Sequence, residues 1–191
     1  MHTCEFCVVP TAWGRTLYRK SVKEVVEEIR RHGARKLIFV DLNIIADREH
    51  AKALFIALMP LRVHWYGLAT VLLADDPELL DLCARSGCRG LLMGLESMSP
   101  ANLKGSRKGF NRPDSYVRVV ERLHAHGIAL QGCFVFGLDD DRPDVFLDGR
   151  VRGRSKDRLA AFCHRHAVPQ HALVQTTRSR RTHPHAQLGA L

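Results

Sequence analysis

The chain has 191 residues, 46% hydrophobic and 26% charged, with 14 Gly, 8 Pro and 6 Cys. That length carries one ordinary globular domain, and the composition excludes a disordered, collagen-like or disulfide-dense chain. No stretch approaches the roughly 20 apolar residues of a membrane span, and the opening MHTCEFC lacks the order of a secretory signal, so a cytoplasmic protein with reduced or metal-bound cysteines is expected.

A net charge of +9 would suit a polyanion-binding protein, but the charge is unevenly placed. Residues 1–147 hold 20 Lys and Arg against 18 Asp and Glu, whereas residues 148–191 hold 9 against 2. The basicity therefore belongs to the last 44 residues, which can hold nucleic acid or another polyanion non-specifically through counterion release. Phe162 is the only aromatic there, so no base-stacking platform accompanies the charge.

In chain order, Ser21-x-x-Glu24 has capping-box spacing. Behind it Val22, Val25, Val26 and Ile29 form one apolar helix face, which Gly33 ends. Leu37 to Val40 is a short apolar run of the buried-strand type. Asp47 caps a second helix running to about Met59 and stopped by Pro60, and His64 to Val71 is the next strand. Asp76-Pro77-Glu78 supplies an N-cap, a proline at the first helical position and an acidic first turn ahead of Leu79, Leu80 and Leu82, and Gly87 closes that helix. Leu91 to Met93 is a strand ending at Gly94. Pro113 and Asp114 open a further helix with Val117, Val120 and Leu123 on one face, Gly127 ends it, and Ile128 to Phe136 is the last strand.

Four strands, each preceded by a helix and each continuously apolar, predict an α/β fold with a parallel sheet covered by helices. Polar side chains gather just past the strand ends: Asp41 and Asn43, then Thr70, then Glu96 and Ser97, then Asp139, Asp140 and Asp141. Singly, each reads as a cap or a turn. Repeated after all four strands, they predict one shared site, because ligands of parallel sheets sit at the carboxyl ends of the strands.

Cys4-Glu5-Phe6-Cys7 is a C-x-x-C pair ahead of the first helix, a spacing used by zinc, iron–sulfur and redox sites alike. Cys163, His164 and His166 could complete a zinc set with it, which makes a small zinc-binding protein one alternative and a basic polyanion-binding module another. Cys83, Cys88 and Cys133 fall within or beside helix and strand patterns and read as buried, inert thiols.

The segment HTCEFCVVP, followed by Trp13-Gly14-Arg15 and Tyr18-Arg19, resembles the cluster loop of radical S-adenosylmethionine (radical SAM) enzymes, above all the subgroup that carries an N-terminal cobalamin-binding domain. The likeness continues through Phe39 to Asn43, Trp65-Tyr66-Gly67, Ser86-Gly87-Cys88, Gly94-Leu95-Glu96-Ser97 and Gly132 to Asp139, and covers residues 1 to about 147. The family's loop is C-x-x-x-C-x-x-C, three thiolates on three irons of a [4Fe–4S] cluster, with the fourth iron left for the amino and carboxylate groups of SAM. Cys4 and Cys7 match the second and third of these, and the first would stand just before Met1, so the chain is expected to begin inside the motif. The resemblance implies a partial (β/α)6 barrel with four of six strands present. It implies that Asp41 and Asn43 receive the SAM amino group and that Thr70 faces the same cavity. Glu96 and Ser97 would approach the ribose and methionyl end, and the strand carrying Gly132, Phe134 and Phe136 would lie beside the adenine. It further implies an external electron donor, a small-molecule substrate, and radical chemistry with cobalamin-linked methyl transfer as one outcome.

Beyond about Phe146 the likeness stops. The last 44 residues lack Glu, Ile, Met, Asn, Tyr and Trp, and they show no sustained periodicity. Codons for residues 147–191 read one base further on are compatible with a string containing RFAIVTPFP, an apolar strand and proline turn that resembles the family's continuation after its fifth strand. The expectation is a partial radical SAM core over 1–147 and an irregular basic tail over 148–191, out of frame or disordered.

Overall fold

Capping chemistry sets most of the helices. The Ser21 hydroxyl accepts from the Glu24 amide while the Glu24 carboxylate accepts from the Ser21 amide, and helix α1 (Val22–His32) runs from there to Gly33, which closes it at φ 63°. Asp47 caps α2 (Arg48–Leu58) through the His50 amide, and Asp76 caps α3 (Pro77–Arg85) through the Leu79 amide. The computed structural model describes residues 7, 14, 19–138, 140 and 141, and the backbone of 159–164.

Between the helices lie strands β1 (Lys36–Ile38), β2 (His64–Leu68), β3 (Cys88–Glu96) and β4 (Ala129–Val135), all parallel and paired in sequence order. The fold is thus α/β, as the apolar strands and intervening helices predict. Several details differ. β1 stops two residues short of Val40, which is 82% exposed. Val71 belongs not to β2 but to a 3-10 turn, Val71–Asp75. Pro113 and Asp114 lead a separate 3-10 turn, Pro113–Ser115, before helix α5 (Tyr116–Ala125), whose buried face is Tyr116, Val119, Val120 and Leu123 rather than one that includes Val117. A short helix α4 (Pro100–Gly105), capped by Ser99, has no counterpart in the sequence pattern.

A fifth parallel strand, β5 (Leu159–His164), pairs with β4 from Leu130↔Leu159 to Val135↔His164. It corrects the expectation that everything beyond 147 is irregular: the run Leu-Ala-Ala-Phe-Cys is apolar enough to extend a parallel sheet at its open edge. The remainder of 148–191 and Asp139 lie outside the described residues, as do Cys4 and His166.

One face of the sheet is covered by the helices. Trp65, Leu91, Met93, Leu95 and Leu130 pack there with Phe55, Leu58, Leu80 and Leu123. Trp65 stacks on Phe55 at 5.5 Å between centroids and donates its indole N–H to Ser86 Oγ at 3.0 Å, which itself donates to the Cys83 carbonyl. Among the described residues the other face is open. Ile38 and Tyr66 stand side by side on it, 74% and 48% exposed.

Candidate functional site

At the carboxyl end of β3 the ladder with β4 slips: Gly94 pairs with Cys133 but Glu96 pairs with Phe134, so Leu95 is the extra residue of a bulge. Glu96 sits there at φ 68°, a left-handed conformation that costs a non-glycine residue on the order of 1–3 kcal/mol. The residue is only 7% exposed, and its carboxylate folds back over Gly94, where a Cβ would stand 2.1 Å from Glu96 Oε1. Lys108, reaching in from the loop after α4, donates to the same oxygen at 2.5 Å. A carboxylate removed from water in this way is held by the ammonium beside it.

The Cys133 thiol feels both charges. Burial pushes it up from its ordinary value, the Glu96 carboxylate adds to that, and Lys108 opposes it. Cys133 is half-buried rather than fully buried as the sequence pattern predicts, and its thiol stays protonated at neutral pH. Burial and the Glu96 charge likewise push the Tyr116 phenol up, so it remains a hydrogen-bond donor.

The other strand-end residues are placed as follows. Asp41 is exposed, and Asn43 turns the chain after β1, its side chain accepting from the Ile45 amide at 3.4 Å. Thr70 follows β2, and its hydroxyl is buried with no hydrogen-bond partner among the described residues. Ser97 is buried and accepts from the Ser99 amide. Gly132 is buried within β4. Phe134 belongs to the helix-covered core, and Phe136 packs at its margin, stacked on Phe134 at 6.4 Å between centroids. Past β4, Asp141 accepts from the amides of Gly137 and Leu138 and from Asn102 Nδ2 at 2.7–3.0 Å, so that the buried Asn102 of α4 fixes this turn. Asp140 contributes its backbone amide to Asn102 Oδ1.

The structure therefore brings Glu96, Gly94, Lys108 and Cys133 together, with Thr70 one strand away. Lys108 is the residue that sequence reasoning missed. It lies 12 positions beyond Glu96, in a loop with no periodic signal, and only a basic residue after a strand-end acid hints at it.

A family model described as the radical SAM superfamily matches residues 1–148. The chain belongs to the radical SAM superfamily. Among curated relatives, bacteriochlorophyllide d C-12(1)-methyltransferase of Chlorobaculum tepidum is 36% identical over 149 residues, 75% of this chain and 33% of that protein. Hopanoid C-2 methylase of Rhodopseudomonas palustris is 29% identical over 158 residues, 75% of this chain and 29% of that protein. The chain thus spans about a third of the length of these relatives. The fold is also that of the radical SAM methyltransferase TsrM from Kitasatospora setae, solved with cobalamin and a [4Fe–4S] cluster bound, at a TM-score of 0.70 and 20% identity over 85% of this chain and 34% of that one.

The superfamily uses a [4Fe–4S] cluster and SAM. The residues at the strand ends fit SAM. Thr70 offers a buried hydroxyl with no partner among the described residues, and a zwitterion with ribose hydroxyls presents partners to a carboxylate and an ammonium held side by side. Cys7 is a half-buried free thiol, a donor type that suits an iron–sulfur cluster, and its companion Cys4 lies outside the described residues.

Proposed function

We propose that this chain is the SAM-binding core of a radical SAM enzyme that transfers a methyl group to an organic small molecule with the help of cobalamin. The observation that carries the reading is the buried Glu96 carboxylate at the end of β3, folded over Gly94 against Lys108 at the mouth of a parallel sheet. In this reading Cys4 and Cys7 hold two irons of the cluster. Asp41 and Asn43 take the amino group of SAM, Glu96 and Ser97 its ribose and methionyl end, and Thr70 a polar group in the same cavity. In the same reading the segment carrying Gly132, Phe134 and Phe136 lies beside the adenine. When bound and reduced by an external donor, the cluster supplies the electron that cleaves SAM. The curated relatives named as methyltransferases and the cobalamin in TsrM support methyl transfer as the outcome.

Anaerobic reconstitution with iron and sulfide tests the reading. A [4Fe–4S] electron paramagnetic resonance signal that changes on adding SAM, and that is lost in Cys7→Ala, supports it. Iron bound equally by wild type and by the Cys4→Ala/Cys7→Ala double variant contradicts it.

A further inference from the structure

The bulge that aims Glu96 is held from outside the strand. Asn111 Nδ2 donates to the carbonyls of Gly94 at 2.8 Å and Leu95 at 3.1 Å. The Tyr116 hydroxyl donates to Leu95 O at 2.6 Å and approaches Ser97 O at 3.3 Å. These carbonyls belong to Gly94, to the extra residue Leu95 and to Ser97 just past the strand, and Leu95 O also accepts from the Ser97 amide at 2.9 Å. Both side chains are almost wholly buried, at 2% and 1% exposure. Among the described residues Asn111 leaves its own Oδ1 buried and without a partner in order to present its amide to the bulge, an arrangement that a residue selected for packing alone would avoid. Gly94 completes the set by having no Cβ where Glu96 Oε1 must lie.

We infer that Asn111 and Tyr116 are positioning residues: by clamping the Gly94–Ser97 bulge they hold Glu96 in its left-handed conformation, which delivers its carboxylate to Lys108 and to the SAM site. The inference rests on the proposed cofactor role of Glu96 for its functional consequence, but the clamp itself can be read without any cofactor. A buried strand end without these donors would relax toward regular pleating, and the Glu96 side chain would leave its place over Gly94.

The test uses the full chain with Tyr116→Phe, which keeps the ring and removes only the hydroxyl, and with Asn111→Ala. The first readout is the rate of acetic anhydride labelling of Lys108 relative to Lys52, whose ammonium pairs with Glu78 on the helix surface. The clamp predicts that labelling of Lys108 rises about fivefold in either variant while that of Lys52 is unchanged. General loosening of the fold would raise both together, and that result, or no change at Lys108 in Tyr116→Phe, overturns the inference. The second readout is SAM affinity by calorimetry. It is expected to fall about fivefold in Tyr116→Phe and to fall no further when Glu96→Gln is already present. Full loss of affinity on top of Glu96→Gln contradicts a role through Glu96. If wild type binds no SAM, the proposed function fails, while the labelling ratio still decides the clamp.

Discussion

At the residue scale, hydrogen-bond accounting explains how the core tolerates its polar atoms. Trp65 is fully buried and its indole N–H has Ser86 Oγ as partner. Replacing Ser86 with Ala would orphan that donor, a loss of about 1–3 kcal/mol measurable by urea unfolding; an unchanged midpoint would contradict this assignment. A second residue-scale prediction concerns acid. Arg48 donates to Asp76 at 2.6 and 3.1 Å and to Glu78 at 2.6 Å. The guanidinium holds the Asp76 carboxyl below its ordinary value, helped by the Leu79 amide. The folded value lies below the unfolded one, so this contribution is complete above the ordinary carboxylate range and fades as pH falls through the folded value. Arg48→Ala is therefore expected to lower stability near neutral pH and to lose that deficit in strong acid, as read from unfolding midpoints across the carboxylate range. A deficit that grows on acidification would reverse the assignment. Glu96 and Ser97 were legible in the sequence because they follow the apolar run Leu91 to Met93 and its Gly94. Lys108, Asn111 and Tyr116 were not, because only the return of the α4–α5 segment across the end of β3 brings them there.

At the scale of elements, the boundaries written in local chemistry agree between sequence and structure. The Ser21–Glu24 capping box, Asp47 and Asp76 each start a helix where the sequence places one. Helix α4 escaped because six residues are too few to show a period, and β5 because its neighbours carry no strand pattern. Two glycines separate conformational need from space. Gly33 closes α1 at φ 63° with nothing within 4 Å of where a Cβ would stand, so Gly33→Ala costs only the left-handed penalty of about 1–2 kcal/mol. Gly87 stands at φ 98°, and a Cβ there would lie 2.0 Å from the Val63 carbonyl oxygen, a backbone atom that cannot step aside. Gly87→Ala is expected to lower the unfolding free energy clearly more than Gly33→Ala, since strain and displacement of the entry to β2 add together. Equal losses in a thermal or urea melt would show that this crossing is not tight.

For the whole molecule, five parallel strands in sequential order leave one face under helices and the other open among the described residues, with the polar strand ends gathered at one rim. The first four strands and their helices follow from the repeated helix–strand pattern and were legible in the sequence, whereas β5 was not. What the sequence could not show was how far the sheet continues, because composition changes sharply after 147. We propose that this change marks a shifted reading frame, supported by the strand and proline turn recovered one base on. Coding DNA that yields no RFAIVTPFP-like segment in that frame would refute it.

The claim on which the function rests is that SAM is received at the carboxyl rim of this sheet. Backbone amide resonances followed by NMR during titration with SAM test it most directly. The account predicts shifts at Asp41, Asn43, Thr70, Glu96, Ser97 and along Gly132 to Phe136, with Arg35, Lys36, His64 and Arg89 at the opposite rim unmoved. Saturating SAM that leaves the first set still, or that moves the opposite rim instead, would contradict it.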